Sequence, residues 1–190
     1  MSDGTPGGNR TPGLELRRLL LCPSELLAHY LLQFDRDTKL VVTEADSEQR
    51  RVLELNAEPA AIEYSRIVGV PVEELNHESF ALNPIAVRIG DEYFVRSIQS
   101  VNDDLSLTFY CAVENGIVLT LMEPGELISR LDQELTRQEL ALGEHLLTLG
   151  CDCFLRRLEA QLRGKSEPVS ELLQRHRVVG FNTYGEQIDE

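Results

Sequence analysis

Two cysteines that flank an aspartate, Cys151 and Cys153 in the stretch GCDCFLRR, are the first residues whose spacing suggests chemistry. An apolar run precedes them and a helical pattern follows, which places the pair where a strand gives way to a helix. Exposed amides at a helix N-terminus favour anions and lower thiol pKa values, so Cys153 is a candidate reactive thiol with Arg156 nearby. The alternative is that both cysteines are ordinary small apolar residues.

Arg96 and Tyr110 are candidate ligand-binding residues on predicted strands. Arg96 falls in phase with Phe94 and Ile98, so an undistorted strand would direct its guanidinium to an apolar side. A buried charge must be paired, either with a carboxylate ligand held bidentately or with an internal acid, unless a bulge turns it outward. Tyr110 shares a predicted face with Ser106, and that face either lines a ligand cavity or meets solvent.

The end of the chain supplies a third group, in the stretch GFNTYGEQ that starts at Gly180. Folds of mixed sheet and helix commonly bind ligands at the carboxyl ends of strands, where helix N-termini supply amides. If this end lies beside residues 150–153, one cavity could be lined by Cys153, Arg156, Tyr184 and Glu186, with Arg96 or Tyr110 entering from another strand. The alternative is that both junctions are ordinary caps and turns.

The sequence contains no recognisable metal-binding or catalytic motif. The four histidines lie far apart, and Cys-x-Cys lacks the second ligand pair of a tetrahedral zinc site. There is no nucleophile elbow, no phosphate-binding loop and no glycine-rich dinucleotide fingerprint. We therefore expect no metal, no catalytic residues and no enzymatic activity.

Composition argues against two classes of partner. With 32 acidic and 18 basic residues the formal net charge is −14, and such a surface repels nucleic-acid backbones and anionic membranes. No apolar run approaches the roughly 18 residues of a spanning helix. Residues 1–13 are rich in glycine and polar residues, lack signal-peptide features and are predicted to be a disordered leader. These features, with four cysteines at no framework spacing, predict a cytoplasmic protein.

Patterning predicts how the rest of the chain positions these residues. Residues 14–38 are leucine-rich and predict a helical lead-in, and a domain is expected over residues 39–190. It starts with two strands (39–45 and 51–56) and a helix over 56–71 capped by Asn56. Residues 85–122 predict four sequential antiparallel strands, helped by the Asn115-Gly116 turn signal.

The second half of that domain changes to helical periodicity. Leu127, Leu131 and Leu135 share one helical stripe, and a further apolar run, a helix over about residues 152–163, a short helix and a terminal strand follow. The predicted fold class is α+β: an antiparallel β-meander with flanking βα units and helices packed on the sheet. Those helices should cover the face that carries Leu105, Leu107 and Phe109.

Longer phrases carry a family resemblance. The stretches EYFVRSIQSVNDDLSLTFYCAVENGIVLTLMEP and CDCFLRRLEAQLRG, with the later VVGFNTYGEQ, are similar to the C-terminal domain of the FIST family. In that family the Thr-Tyr-Gly-Glu stretch leads into a further strand, so this domain looks incomplete at its end. An open edge beside residues 178–181, or pairing with another chain such as a homodimer partner, is the expectation. The chain also has Leu105 where the family often has glycine, and a turn with positive φ there would be strained.

The resemblance implies a sensory module that couples a small ligand to signal output. Amino-acid-like molecules are the ligands proposed for the family, acting through a signalling partner or output domain. Some relatives are described as haem-binding nitric-oxide sensors, but none of the four histidines here falls on a ligand motif of that kind. The alternatives are a protein-interaction adaptor without a small ligand, and a haem-based sensor.

Overall fold

A computed structural model describes residues 32–142 and 147–183 of the chain. Within these ranges the chain forms ten strands, five α-helices and a 3₁₀ turn at Val72–Glu74. The strands are β1 (Leu32–Asp46), β2 (Arg51–Leu55), β3 (Glu58–Pro59), β4 (Ile85–Ile89), β5 (Glu92–Val95), β6 (Ile98–Val101), β7 (Leu107–Phe109), β8 (Val118–Pro124), β9 (Thr148–Cys153) and β10 (Val178–Thr183). The helices are α1 (Ala60–Val68), α2 (His77–Leu82), α3 (Leu127–Leu142), α4 (Phe154–Leu162) and α5 (Ser166–Arg175). None of the described helices is long and apolar enough to cross a membrane.

The first eight strands form one sheet that rolls up on itself. Its order is β5-β4-β8-β1-β2-β7-β6, with β3 paired to β2. The strands β5 and β6 lie at opposite ends of this order, yet only Arg96 and Ser97 separate them in sequence. Such a link spans at most about 11 Å, so the two ends of the sheet must lie side by side. We call the structure formed by residues 32–124 the rolled sheet.

Alternation of side chains gives the rolled sheet a large apolar core, beside a small cluster of Ala86 and Met122. Strand residues such as Leu40, Leu107, Phe109 and Leu119 are fully buried in it. The helix α1 adds Ala60, Ala61 and Tyr64, and the Tyr64 hydroxyl donates a 2.8 Å hydrogen bond to the Asn83 carbonyl. The predicted burial of Leu107 and Phe109 is confirmed.

The remaining described residues, 125–142 and 147–183, form what we call the helical region. Its strands β9 and β10 are parallel neighbours, joined through α4 and α5. Val178 of β10 packs against Leu131 and Leu135 of α3 and against Leu172 of α5. Among the described residues β10 pairs with β9 alone, and the open edge beside residues 178–181 stays a prediction.

The fold class is confirmed, with changes in pairing and boundaries. The antiparallel sheet is flanked by helices, but β8 returns to pair with β4 and β1 rather than with β7. The strand β1 begins at Leu32, inside the predicted helical lead-in over residues 14–38, because its pairing with β8 outweighs the local leucine-rich pattern. Residues 1–31 lie outside the described residues.

Two local predictions are corrected or sharpened. Asn56 is not a helix cap: it sits in the β2–β3 turn at φ 52°, and Pro59 occupies the N-cap position of α1. The Asn56 side chain instead accepts a 2.9 Å bond from the Val41 amide. Leu105 does adopt the left-handed conformation, at φ 64°, so the strain expected in that turn is present.

Candidate ligand site

Arg96 occupies the link that closes the rolled sheet. Its backbone amide donates a 2.8 Å bond to the Ile85 carbonyl, which fixes the link against β4. The side chain is half-buried, and Nη1 makes a 3.3 Å bond to the Val95 carbonyl. The Nε atom is buried and has no hydrogen-bond partner.

Among the side chains that the structure describes, none of the ion pairs includes Arg96. These ion pairs involve other arginines, including Arg51, Arg66 and Arg88. A buried donor without a partner costs roughly 1–3 kcal/mol, more if it is charged. Among the described side chains, the internal acid that was one alternative for Arg96 is not found.

Tyr110 lies beside the same link. Its amide donates a 3.0 Å bond to the carbonyl of Ser97, the neighbour of Arg96. Its own carbonyl accepts a 3.1 Å bond from Arg50. The phenol oxygen lies 3.5 Å from Nε2 of His77. Tyr110 thus contacts both the link formed by Arg96 and Ser97 and the start of α2.

The hydroxyl groups near Tyr110 belong to an internal network rather than to a ligand-facing wall. Ser106 is 1% exposed, and its hydroxyl donates a 2.6 Å bond to Asp104 and accepts a 2.7 Å bond from Arg51. The hydrogen bonds from Ser106, supported by Arg51, hold the pKa of Asp104 below its usual range. Thr108 accepts a 2.9 Å bond from Asn102. These groups fix the β6–β7 turn.

His77 is a member of the site that the sequence interpretation missed. It is the first residue of α2, after the N-cap Asn76, whose side chain and that of Ser79 form a reciprocal capping box. The His77 ring packs edge-on against Phe154, with centroids 6.1 Å apart. The Asn-x-x-Ser spacing was the available signal, and it predicts a helix starting at His77.

Cys153 is next to Phe154, the residue that the His77 ring contacts. It is the last residue of β9 and the N-cap of α4, directly before Phe154. In the parallel pair it is opposite Thr183, so the carboxyl ends of β9 and β10 meet at one edge. The predicted cavity between residues 150–153 and the stretch that starts at Gly180 requires these two strand ends to be adjacent. Tyr184 and Glu186, the other two predicted members from this end, lie outside the described residues.

Arg156 has an internal partner one turn into α4. It forms a short ion pair with Glu159, which is 4% exposed and also receives a 2.7 Å bond from Arg163. Arg163 in turn donates to the Gly125 carbonyl at 2.9 Å. Arg156 therefore helps to neutralise a buried carboxylate, and its role toward a ligand stays a prediction.

The described histidines, His77 and His176, have ring nitrogens in contact with other polar groups. Both ring nitrogens of His176 contact carboxylates, Nδ1 with Glu139 at 3.0 Å and Nε2 with Asp132 at 2.8 Å. The Nε2 atom of His77 faces the Tyr110 phenol. Within the described ranges there is also no group of three or more metal-ligating side chains.

The FIST C domain matches residues 60–189, well over half of the chain. No curated protein and no solved structure matches. FIST C domains are sensory domains of signal transduction and are sensory rather than catalytic. With residues 60–189 matched, the chain belongs to the FIST family through its C-terminal domain.

Proposed function

We propose that this chain is the ligand-binding part of a cytoplasmic sensory protein, without catalytic activity, and that it recognises a small carboxylic acid such as a free amino acid. The observation that carries the proposal is the buried, unpartnered Nε of Arg96. A planar guanidinium matches a carboxylate bidentately, and such charge-assisted bonds are about twice as strong as neutral ones. A ligand carboxylate would remove the cost of the unsatisfied donor.

The position of Arg96 supports a role in signalling as well as in binding. The link that carries Arg96 joins the two ends of the rolled sheet, and Ser97 in that link is hydrogen-bonded to Tyr110. Contacts then run through His77 to Phe154, the first residue of α4. A ligand that shifts the link changes contacts at the start of the helical region. We propose that a signalling partner or output domain reads that change.

Mass spectrometry of small molecules that remain bound through native purification tests this proposal. Wild type should retain a carboxylic acid, and the variant Arg96→Gln should not. Arg88→Gln is the matched control, because Arg88 is an exposed arginine of β4 that pairs with Asp91. Equal retention by Arg96→Gln and wild type would contradict the proposal.

Stability measurements separate binding from folding. Because Arg96 has an unsatisfied buried donor, Arg96→Gln should leave the unliganded melting temperature unchanged or raise it. A large loss of stability in the unliganded variant would assign Arg96 a structural role instead.

A second candidate function is that of an adaptor, and one observation favours it. Val179 and Phe181 of β10 are 54% and 59% exposed, although both are large apolar residues. Contiguous exposed apolar surface commonly marks a protein interface. Replacement of both residues by serine should abolish association with an output protein if the adaptor role is correct, and should leave carboxylate binding intact.

A further inference from the structure

The strand β10 is exposed along most of its length. The four residues from Val179 to Asn182 are all exposed, and the exposed fractions of Val179 and Phe181 are 54% and 59%. In the described part of the chain, β10 pairs with β9 alone, through a parallel ladder over residues 178–183. A strand paired on one side presents amide and carbonyl groups on its other side. The strand therefore combines exposed apolar side chains with an edge that can pair with another strand.

The sequence of β10 lacks the features that normally keep an edge strand from pairing. Edge strands of soluble proteins usually carry charged residues, a proline or a bulge. β10 reads Val-Val-Gly-Phe-Asn-Thr, without a charge or a proline, and its register with β9 runs without a shift from Val178 to Thr183. Exposed apolar residues on such a strand favour association, because association removes them from water.

The strand is also complementary to itself. In an antiparallel pair of β10 strands with Gly180 at the two-fold axis, Val179 of each copy lies opposite the partner's Phe181. In the same register Val178 lies opposite the partner's Asn182. A β-branched residue opposite an aromatic residue stabilises a strand pair, and this pairing buries no charge. The order Val-Gly-Phe thus gives the self-matching contact that a two-fold interface requires.

The distribution of charge favours the helical region as the place where two copies meet. The rolled sheet has 17 acidic and 7 basic residues, whereas the described residues of the helical region have eight of each. Two copies that approached through their rolled sheets would repel each other, because both surfaces are strongly negative. Approach through the helical regions, which contain β10, avoids this repulsion.

We propose that two copies of this chain associate through β10, by antiparallel pairing of the two strands into the four-stranded sheet β9-β10-β10-β9. This inference goes beyond the carboxylate site and does not depend on Arg96. It also differs from the adaptor role, in which the same surface binds a different protein and the chain stays monomeric. Six residues from each copy form a small interface, so the dissociation constant should be roughly 10–100 µM.

Sedimentation velocity of the full chain, from about 1 µM to about 1 mM, tests the inference because this range spans the expected dissociation constant. Wild type should change from monomer to dimer. Phe181→Glu and Val179→Lys should each weaken association by at least about 10-fold, because a charge then lies opposite an apolar residue. An equimolar mixture of the two variants should associate again, since the new carboxylate lies opposite the new ammonium group. Ile89→Glu is the control, because Ile89 is 56% exposed on β4 of the rolled sheet, and it should associate as wild type does.

Three results would overturn the inference: a wild type that stays monomeric over the whole range, wild-type association in Phe181→Glu, or no recovery in the mixture. A monomer that binds an output protein through β10 would favour the adaptor role instead. Hydrogen exchange of wild type gives a second readout that needs no variant. Amides within residues 178–183 should exchange more slowly at high than at low protein concentration, and an unchanged rate would contradict the pairing. Circular dichroism checks that each variant is folded.

Discussion

The rolled sheet and the helical region are stabilised in different ways. The rolled sheet has one large core of sixteen buried residues and a small second cluster of Ala86 and Met122. The helical region divides its buried apolar residues between clusters of two and three. It has ion pairs around more than one buried group, such as Glu159 and His176, whereas the rolled sheet pairs the buried Glu63 with Arg66. We infer that burial of apolar surface dominates the stability of the first region, and that charge has a larger share in the second.

The largest expected difference in stability is between alanine substitutions of two phenylalanines. Phe109 is fully buried in the rolled sheet, and Phe181 is 59% exposed in the helical region. Phe109→Ala should lower the free energy of unfolding by about 3–5 kcal/mol, because it removes a large core side chain. Phe181→Ala should change it by less than about 0.5 kcal/mol. Urea denaturation measures both, and similar losses would remove the contrast between the regions.

The next effect concerns the buried carboxylate of the helical region. Glu159→Gln leaves Arg156 and Arg163 without their partner, which should cost about 2–3 kcal/mol, less than a fully buried pair because both arginines are partly exposed. Glu171→Gln is the control, since Glu171 is an exposed glutamate of α5. Chemical denaturation should separate the two variants clearly. Equal stability of both would show that the ion pairs contribute little.

The contribution of the helical region to the free energy of unfolding should depend on pH. Burial opposes protonation of His176, but hydrogen bonds to Asp132 and Glu139 outweigh it and raise the pKa of His176. A raised folded pKa means that the stabilisation is complete below the unfolded value of about 6.5 and is lost as pH rises through the folded value.

The free energy of unfolding, measured at pH 5.5 and at pH 9, tests whether this stabilisation is lost as pH rises. His176→Asn should destabilise the protein at pH 5.5 by roughly 1–2 kcal/mol, discounted because the two carboxylates are more than a third exposed, and by less at pH 9. Arg175→Gln removes an exposed partner of Asp132 and should show little change with pH. A larger effect of His176→Asn at high pH would reverse our assignment.

The smallest effect tests backbone strain in the rolled sheet. Leu105 has φ 64°, where a Cβ atom costs roughly 1–2 kcal/mol. Both glycine and alanine remove the leucine packing, so their difference isolates the strain. Leu105→Gly should be more stable than Leu105→Ala by about 1 kcal/mol. Thermal unfolding compares them, and a more stable alanine variant would show that the turn relaxes.

The sequence predicted local elements better than long-range pairing. The periodicity of residues 85–122 identified extended segments, because alternation is a local property, but it predicted four strands where the structure has five, β4 to β8. It could not show that β8 pairs with β1, since that contact joins residues far apart in sequence and depends on the rolling of the sheet. The start of β1 at Leu32 was missed for the same reason, because its pairing with a distant partner strand determines it.

In the candidate site, too, local features could be predicted from the sequence and long-range contacts could not. The phase of Arg96 with apolar neighbours was readable from the sequence, and the structure adds that its Nε has no partner. His77 was missed because its role comes from contacts with Tyr110 and Phe154, which lie far from it in the chain. The partner of Arg156 was missed although Glu159 is three residues away, because spacing along a helix does not show which of several nearby acids is buried and pairs with it.

Thermal shift with matched ligands tests most directly whether Arg96 binds a carboxylate. Wild type and Arg96→Gln are each heated with a panel of free L-amino acids and with the corresponding carboxamides, and Arg88→Gln serves as control. At least one acid should raise the melting temperature of wild type and of Arg88→Gln, and its carboxamide should not. Affinity for that acid should fall about 10- to 100-fold in Arg96→Gln, as expected for loss of charged hydrogen bonds. Equal shifts in wild type and Arg96→Gln, or equal binding of acid and carboxamide, would contradict the account.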